Sequence, residues 1–400
     1  MPIDETPILD EKTLKDAIKY IDECWKKLEA YNPKDDKTLI GLPGQYVVPS
    51  VVSNDGFSFK EMYYWDSYFI ILGLLESNQT NLAKDIIVNE LYLIDKFGMV
   101  PNASRYYMLS RSQPPTLTLQ AFALYEKTKD LEFLTKVIES AIIEYENVWT
   151  SKEHPMTHNV FEGLSRYYDI NVLHDLAEAE SGWDFTPRFN GHCLDYIPID
   201  LNSLLWKYES DFEKYFKIIG DEQKSNEWKQ LASKRKNNID KYLWDDEKNF
   251  YFDYDYKNNQ KSSVYSLAAF LPMFVGMADK TQADKLFENL ILFETSHGLS
   301  TTPPKDGYFD NKQWAAPNGW APLHYFVIMG LDNYGYSDRA KLVALKWIDT
   351  NLIKFAKTGY FQEKYNVVDI AKEPASGVYP DQVGFGWTNG VFRALASKYT

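Results

Sequence analysis

Residues 11–30 read EKTLKDAIKYIDECWKKLEA, and in them Leu14, Ala17, Ile18, Ile21 and Trp25 fall on one face at helical spacing, with charged residues on the other. The same period returns at residues 65–75, 79–96, 116–127, 131–150, 200–219, 221–244, 263–275, 280–290, 321–329, 337–355 and 385–397, which predicts about twelve helices. Strand-like sequence is confined to short pieces such as residues 249–254, and βα alternation is missing, so the fold class is all-α. With no sequence repeat of 20–50 residues, a dozen helices fit a toroid of paired helices, an α-solenoid or an irregular bundle. Loops rich in glycine, proline and aromatic residues recur at 101–115, 178–188, 299–322 and 359–386. Their alternation with helix pairs predicts one rim carrying a shared site. No Ser/Gly/Pro-rich linker divides residues 1–400, which read as a single domain.

Composition narrows the function. A 400-residue chain with 44% hydrophobic content can bury a large core, and its 29 Tyr and 11 Trp exceed what packing alone requires. Concave sites for hydroxylated ligands use such rings. A net charge of −14 supplies no basic stripe for a phosphate backbone, so no nucleic acid is expected as a partner. An anionic membrane surface is equally unsuited, and no run of eighteen apolar residues occurs. The start, Met1-Pro2-Ile3-Asp4-Glu5-Thr6, does not read as a secretory signal, and two cysteines, Cys24 and Cys193, suit a reducing compartment. A cytoplasmic location is therefore expected.

The segment Glu61-Met62-Tyr63-Tyr64-Trp65-Asp66-Ser67-Tyr68-Phe69 places five aromatic side chains and two carboxylates in nine residues. Ring faces match the C–H faces of a pyranose and carboxylates accept from its hydroxyls, so the segment suits a small-molecule sugar. Glycoside hydrolysis needs an acid to protonate the leaving oxygen and a second carboxylate to activate water or attack. Asp184, between Trp183 and Phe185 and two residues after Gly182, is one candidate; Glu363, in a loop-like stretch after a helix, is another. Other chemistries lack their residues. His154 and His158 have helical metal-ligand spacing, but Pro155 lies between them and no third ligand follows. Residues 384–390 have the wrong glycine spacing for a dinucleotide loop, and there is no P-loop and no nucleophile elbow. No metal and no cofactor are expected.

Taken in order, residues 61–69, Ser110-Arg111-Ser112-Gln113-Pro114-Pro115, Glu180-Ser181-Gly182-Trp183-Asp184, Gln313-Trp314, Pro317-Asn318-Gly319-Trp320-Ala321-Pro322, Glu363-Lys364-Tyr365 and residues 384–390 resemble the conserved blocks of the trehalases of glycoside hydrolase family 37. The resemblance runs from about residue 55 to 395. It implies an (α/α)6 toroid and hydrolysis of an α-glucosidic bond with inversion at the anomeric carbon. By position, it makes Asp184 the general acid and Glu363 the general base. Phe59, Trp65, Asp66, Asn102 and Arg111 line the glucose pocket in this resemblance, with Gln113 close by, and Arg166, Trp183, Trp314, Asn318 and Trp320 join them as candidate substrate contacts.

The chain departs from the family pattern where a sugar-binding arginine becomes Ser58, where Gln-Trp-Asp becomes Gln313-Trp314-Ala315, and where a glutamate becomes Val378. The stretch after Tyr168 is shortened. These departures concern the leaving-group side, so three readings follow: an α,α-trehalase, an inverting α-glucosidase of the same fold with a different leaving group, and a sugar-binding protein without turnover.

Overall fold

The computed structural model describes residues 5–50, 59–151, 154, 156–304, 312–375 and 382–400. In chain order its helices are α1 (Glu11–Leu28), α2 (Tyr64–Glu76), α3 (Thr80–Phe97), α4 (Leu117–Thr128), α5 (Leu131–Glu144), α6 (His174–Glu180), α7 (Ile199–Ile218), α8 (Glu222–Tyr242), α9 (Leu271–Val275), α10 (Lys280–Asn289), α11 (Ala321–Asn333), α12 (Ser337–Thr358) and α13 (Gly386–Tyr399). Burial separates them into two layers. In α2, 11 of 13 residues are buried, and in α11, 10 of 13, whereas α8 buries 4 of 21. A helix apolar on all sides needs neighbours on all sides, and a one-faced helix needs one layer beneath it.

The contacts follow that division. Helices α2, α4, α7, α9, α11 and α13 each pack against the next, and α13 returns to α2, closing a ring of six. Around it lie α1, against α12 and α13; α3, against α2, α4 and α5; α5, against α4 and α7; α8, against α7; and α12, against α11 and α13. Helix α10 packs on the strand Phe250–Tyr251. The result is an (α/α)6 toroid. Its sheet content, among the described residues, is six small antiparallel sheets of two or three strands.

The two layers also start differently. Outer helices α1, α5, α8 and α10 are capped by Asp10, Asp130, Asp221 and Asp279, each accepting from a backbone amide three residues on. None of the six inner helices has a side-chain bond from its own N-cap residue. Buried first-turn amides still need acceptors, and other segments supply several of them. Trp65 N of α2 donates to Gln113 Oε1 at 3.1 Å, and Leu117 N of α4 reaches the hydroxyls of Tyr64 and Tyr208 at 3.3 and 3.1 Å. Ile199 N of α7 donates to Asp253 Oδ1 at 3.0 Å, and Gly386 N of α13 to Pro49 O at 2.7 Å. Glu144 accepts from both Tyr64 and Tyr208 at 2.9 Å, and burial pushes its carboxyl up to about 7.

All twelve expected helices are present, with three local differences. The stretch 131–150 ends as α5 at Glu144 and finishes in a wider π turn, Tyr145–Trp149, with Thr150 N bonded to Tyr145 O. The stretch 263–275 becomes helical only at Leu267, first as a 3₁₀ turn. Helix α6 was not expected; at seven residues it is too short for a clear apolar period.

Helices α2 and α13 make the closest crossing of the ring. A Cβ on Gly390 would lie 2.1 Å from Phe69 O, and one on Gly73 would lie 2.5 Å from Gly390 Cα, so backbone meets backbone there. Gly390→Ala is expected to lower unfolding free energy by about 3 kcal/mol, measured as a drop in the urea midpoint. A midpoint equal to that of the wild type would show that the two helices separate at no cost.

Candidate active site

Asp66 lies in the first turn of α2, while Asp184 and Glu363 come from the loops that precede α7 and α13, and the ring brings these sequence-distant groups to one rim. A pocket of about 220 Å³ opens there, and Phe59, Trp65, Asp66, Asn102, Arg111, Gln113, Asp184, Trp314 and Glu363 all line it. Trp65 and Asp66 occupy the first turn of α2. Phe59 packs edge-on against Tyr63, ring centroids 5.7 Å apart.

The segment before α4 supplies three polar groups. Asn102 Nδ2 donates to Ser112 O and Ala179 O at 3.1 and 3.2 Å, which fixes its amide plane. Arg111 Nη1 pairs with Asp169 Oδ2 at 3.1 Å, while its buried Nε has no partner among the described residues. With Gln113 Oε1 engaged by Trp65 N, its amide nitrogen is the group available to a ligand. Behind them, Glu180 is fully buried and gathers three segments: it accepts from Ser112 N at 2.8 Å and Tyr168 N at 2.6 Å, and contacts His158 Nε2 at 3.0 Å. His158 is thereby a structural partner of Glu180.

Asp184 lies in a tight turn. Gly182 has φ +71°, and a Cβ there would meet the Trp65 indole at 2.8 Å, so only glycine lets the turn close on that ring. Phe185 is held at φ +65°, and Gln313 Nε2 donates to Asp184 O at 2.9 Å. The strand Asn318–Trp320 pairs antiparallel with Lys364–Asn366, Trp320 opposite Lys364, which brings the Gln313-Trp314 segment beside Glu363. Glu363 Oε2 lies 3.0 Å from Lys364 Nζ, and its backbone carbonyl accepts from Trp387 Nε1 at 3.1 Å.

Three carboxylates thus share one small pocket. Burial, then the neighbouring charge of Glu363, raises Asp66 to about 8. Burial, then the charge of Glu178, raises Asp184 to about 7 against the opposing pull of Arg111. Like charges this close favour a state in which at least one carboxyl keeps its proton.

Four expected contacts fall outside the lining. Arg166 donates to Thr157 O, Leu194 O, Met156 O and the Tyr256 hydroxyl, so its fork is spent on holding loops together. Trp183 and Trp320 are buried on Trp314: Trp320 stacks at 3.9 Å and 2°, Trp183 at 5.1 Å and 29°. Asn318 Nδ2 donates to Gln313 O and Ala375 O, both at 3.0 Å. These three support Trp314 rather than facing the pocket. Conversely, Tyr63, Met108, Phe385 and Trp387 line it without having been singled out as contacts; Tyr63, Phe385 and Trp387 do lie inside the motif blocks. Ser58 and Val378 lie outside the described residues. Ala315 is fully buried and is not part of the lining.

Away from the pocket, His174, His192 and Asp195 have ligand atoms within 4.8 Å of one another, but His174 Nδ1 already accepts from Leu194 N at 3.2 Å. No helix of the described residues is long and apolar enough to cross a membrane.

The family profile described as Trehalase matches residues 4–175 and 171–400. The chain belongs to the trehalase family. It is 33% identical over 419 residues to a periplasmic trehalase of Escherichia coli O1:K1 / APEC, covering 93% of this chain and 72% of that one. Among solved structures it resembles the neutral trehalase Nth1 from Saccharomyces cerevisiae, with TM-score 0.79 and 31% identity over 96% of this chain and 80% of that chain. A GH63 mannosylglycerate hydrolase from Thermus thermophilus shares the fold, with TM-score 0.72 at 16% identity over 95% of this chain and 100% of that one. The toroid expected from the family resemblance is the one observed.

A carboxyl whose proton is held more tightly in the folded than in the unfolded chain costs stability as pH rises between the two values. For Asp184 that window runs from 3.8, its ordinary value, to about 7. Asp184→Asn should therefore gain stability relative to wild type between pH 5 and pH 8, by an amount on the order of a few kcal/mol. Urea unfolding at both pH values checks this, and a pH-independent difference would contradict it.

Proposed function

We propose that this chain is an inverting α-glucoside hydrolase that cleaves α,α-trehalose to two glucoses, with Asp184 as general acid and Glu363 as general base. The observation that carries this reading is the convergence of Asp66, Asp184 and Glu363 on one buried pocket, with Asp184 raised to about 7. A carboxyl of that value holds its proton near neutrality and can give it up in a transition state.

In the proposed reaction Asp184 protonates the glycosidic oxygen as the C–O bond breaks. Glu363 removes a proton from a water that attacks the anomeric carbon from the opposite face. Each turnover consumes one water and leaves Asp184 ionised and Glu363 protonated, and exchange with solvent restores both. Asp66 accepts from sugar hydroxyls, the Arg111 fork and the Gln113 amide donate to them, and Trp65 offers its ring to the C–H face. Support for trehalose comes from the family and from relatives named as trehalases.

A second reading keeps the mechanism and changes the leaving group. It is favoured by Pro49, Met108 and Phe385, which give part of the lining an apolar character suited to a less polar aglycone. A cytoplasmic location stays part of the proposal: Cys24 and Cys193 are buried free thiols, while the curated relatives are named periplasmic.

Asp184→Asn and Glu363→Gln should each lower kcat/KM for trehalose by about 10²–10⁴-fold, with the circular dichroism spectrum unchanged. A variant within tenfold of wild type would remove that residue from its role. Glucose release from a panel of α-glucosides separates the two readings, since a trehalase prefers trehalose and the alternative enzyme prefers another member.

A further inference from the structure

We propose that Glu178 is a positioning residue for the acid step: its carboxylate clamps the turn that carries Asp184 from behind, and its negative charge keeps the proton on Asp184. The proposal rests on the reading of Asp184 as general acid.

Glu178 sits on α6 and is buried, 7% exposed, yet it does not line the pocket. Its Oε1 accepts from Thr186 N at 3.0 Å, and the Phe185 amide also stabilises the carboxylate. The bridged turn needs such a clamp, because Phe185 at φ +65° is in a region that residues with a side chain rarely adopt. Two further contacts hold the same turn: Gln313 Nε2 on Asp184 O, and Lys312 Nζ over the Phe185 ring at 4.0 Å from its centroid.

The charges around both groups set the sign. Asp184 is faced by Glu178 and Glu363, which favour its protonated form, and by Arg111, which opposes them; Asp66 and Tyr63 share its surroundings. Of these charges Glu178 acts most strongly on Asp184. Glu178 itself is raised by burial and by Asp175, while the Thr186 and Phe185 amides and Lys312 favour its ionised form; Cys193 lies in its field. Removing the charge of Glu178 lets Asp184 ionise at lower pH, so the active protonated acid disappears earlier as pH rises.

Glu178→Gln keeps an oxygen for the Thr186 amide and removes the charge. The alkaline limb of its kcat/KM profile on trehalose is expected to move down by about one pH unit, with the low-pH plateau falling less than tenfold. Glu178→Ala, which also loses the clamp, should lower that plateau further. A purely structural residue would lower the plateau without moving the limb, and an unmoved limb in a folded Glu178→Gln overturns the proposal. Should that variant not fold, carbon-13 NMR titration decides. Coupling is reciprocal, so the ionisation of Asp184 must register as a second step, near pH 7, in the titration of the wild-type Glu178 carboxyl, and that step must vanish in Asp184→Asn; a single step in both proteins overturns the proposal. Failure of the underlying reading looks different, since Asp184→Asn would then remain active.

Discussion

The inner helices begin inside protein, and their first amides have no acceptors of their own. That single constraint organises the rim. An exposed helix such as α8 settles it locally with Asp221, whereas α2, α4, α7 and α13 take acceptors from segments far away in sequence. Gln113 satisfies Trp65 N and also lines the pocket, so one side chain fixes the start of α2 and stays available to a ligand. Asp253 satisfies Ile199 N and, with Asp200, neutralises the fully buried Arg188, whose guanidinium lies 4.4 Å from the Trp183 ring centroid. The bonds that finish the helices and the bonds that aim the site belong to the same network.

A rim built this way can hold carboxylates dry, and dryness gives them their chemistry. Asp66 and Asp184 would ionise near pH 4 in water, but burial, with the charge of Glu363 beside Asp66 and of Glu178 beside Asp184, keeps protons on them into the neutral range. This arrangement costs stability, which the ring must offset through packing. The Gly73–Gly390 crossing, the ladder between Asn318–Trp320 and Lys364–Asn366, and the stacked rings of Trp183, Trp314 and Trp320 are part of that packing. Neutral His324 belongs to the same support: Nε2 accepts from Leu299 N, so Nδ1 donates to Trp320 O, and burial lowers its value to about 3.

Much of this was legible in the sequence. The 3.6-residue period marked every long helix, since amphipathic or wholly apolar stretches leave a clear pattern. Trp65, Asp66, Arg111, Asp184 and Glu363 stood out because their motif blocks are dense in aromatic and charged residues, and all five line one pocket. The misses share a physical cause. Trp183, Asn318 and Trp320 sit in the same blocks as the lining residues, and no linear pattern tells a ring that faces the pocket from one stacked behind it. Arg166 looks like a sugar ligand until its four acceptors are seen. Glu178 carries no local signal, because its weight comes from folding back eight residues onto Thr186. The tertiary caps are invisible for the same reason.

The central claim is that Asp184 and Glu363 act across one pocket as acid and base on a water, not as acid and nucleophile. Proton NMR of the first glucose released from α,α-trehalose tests this most directly, before mutarotation mixes the anomers. Single displacement by water inverts one anomeric carbon and leaves the other untouched, so the account predicts α- and β-glucose in equal amounts at the earliest times. Release of α-glucose alone would mean retention through a glycosyl-enzyme and would contradict it.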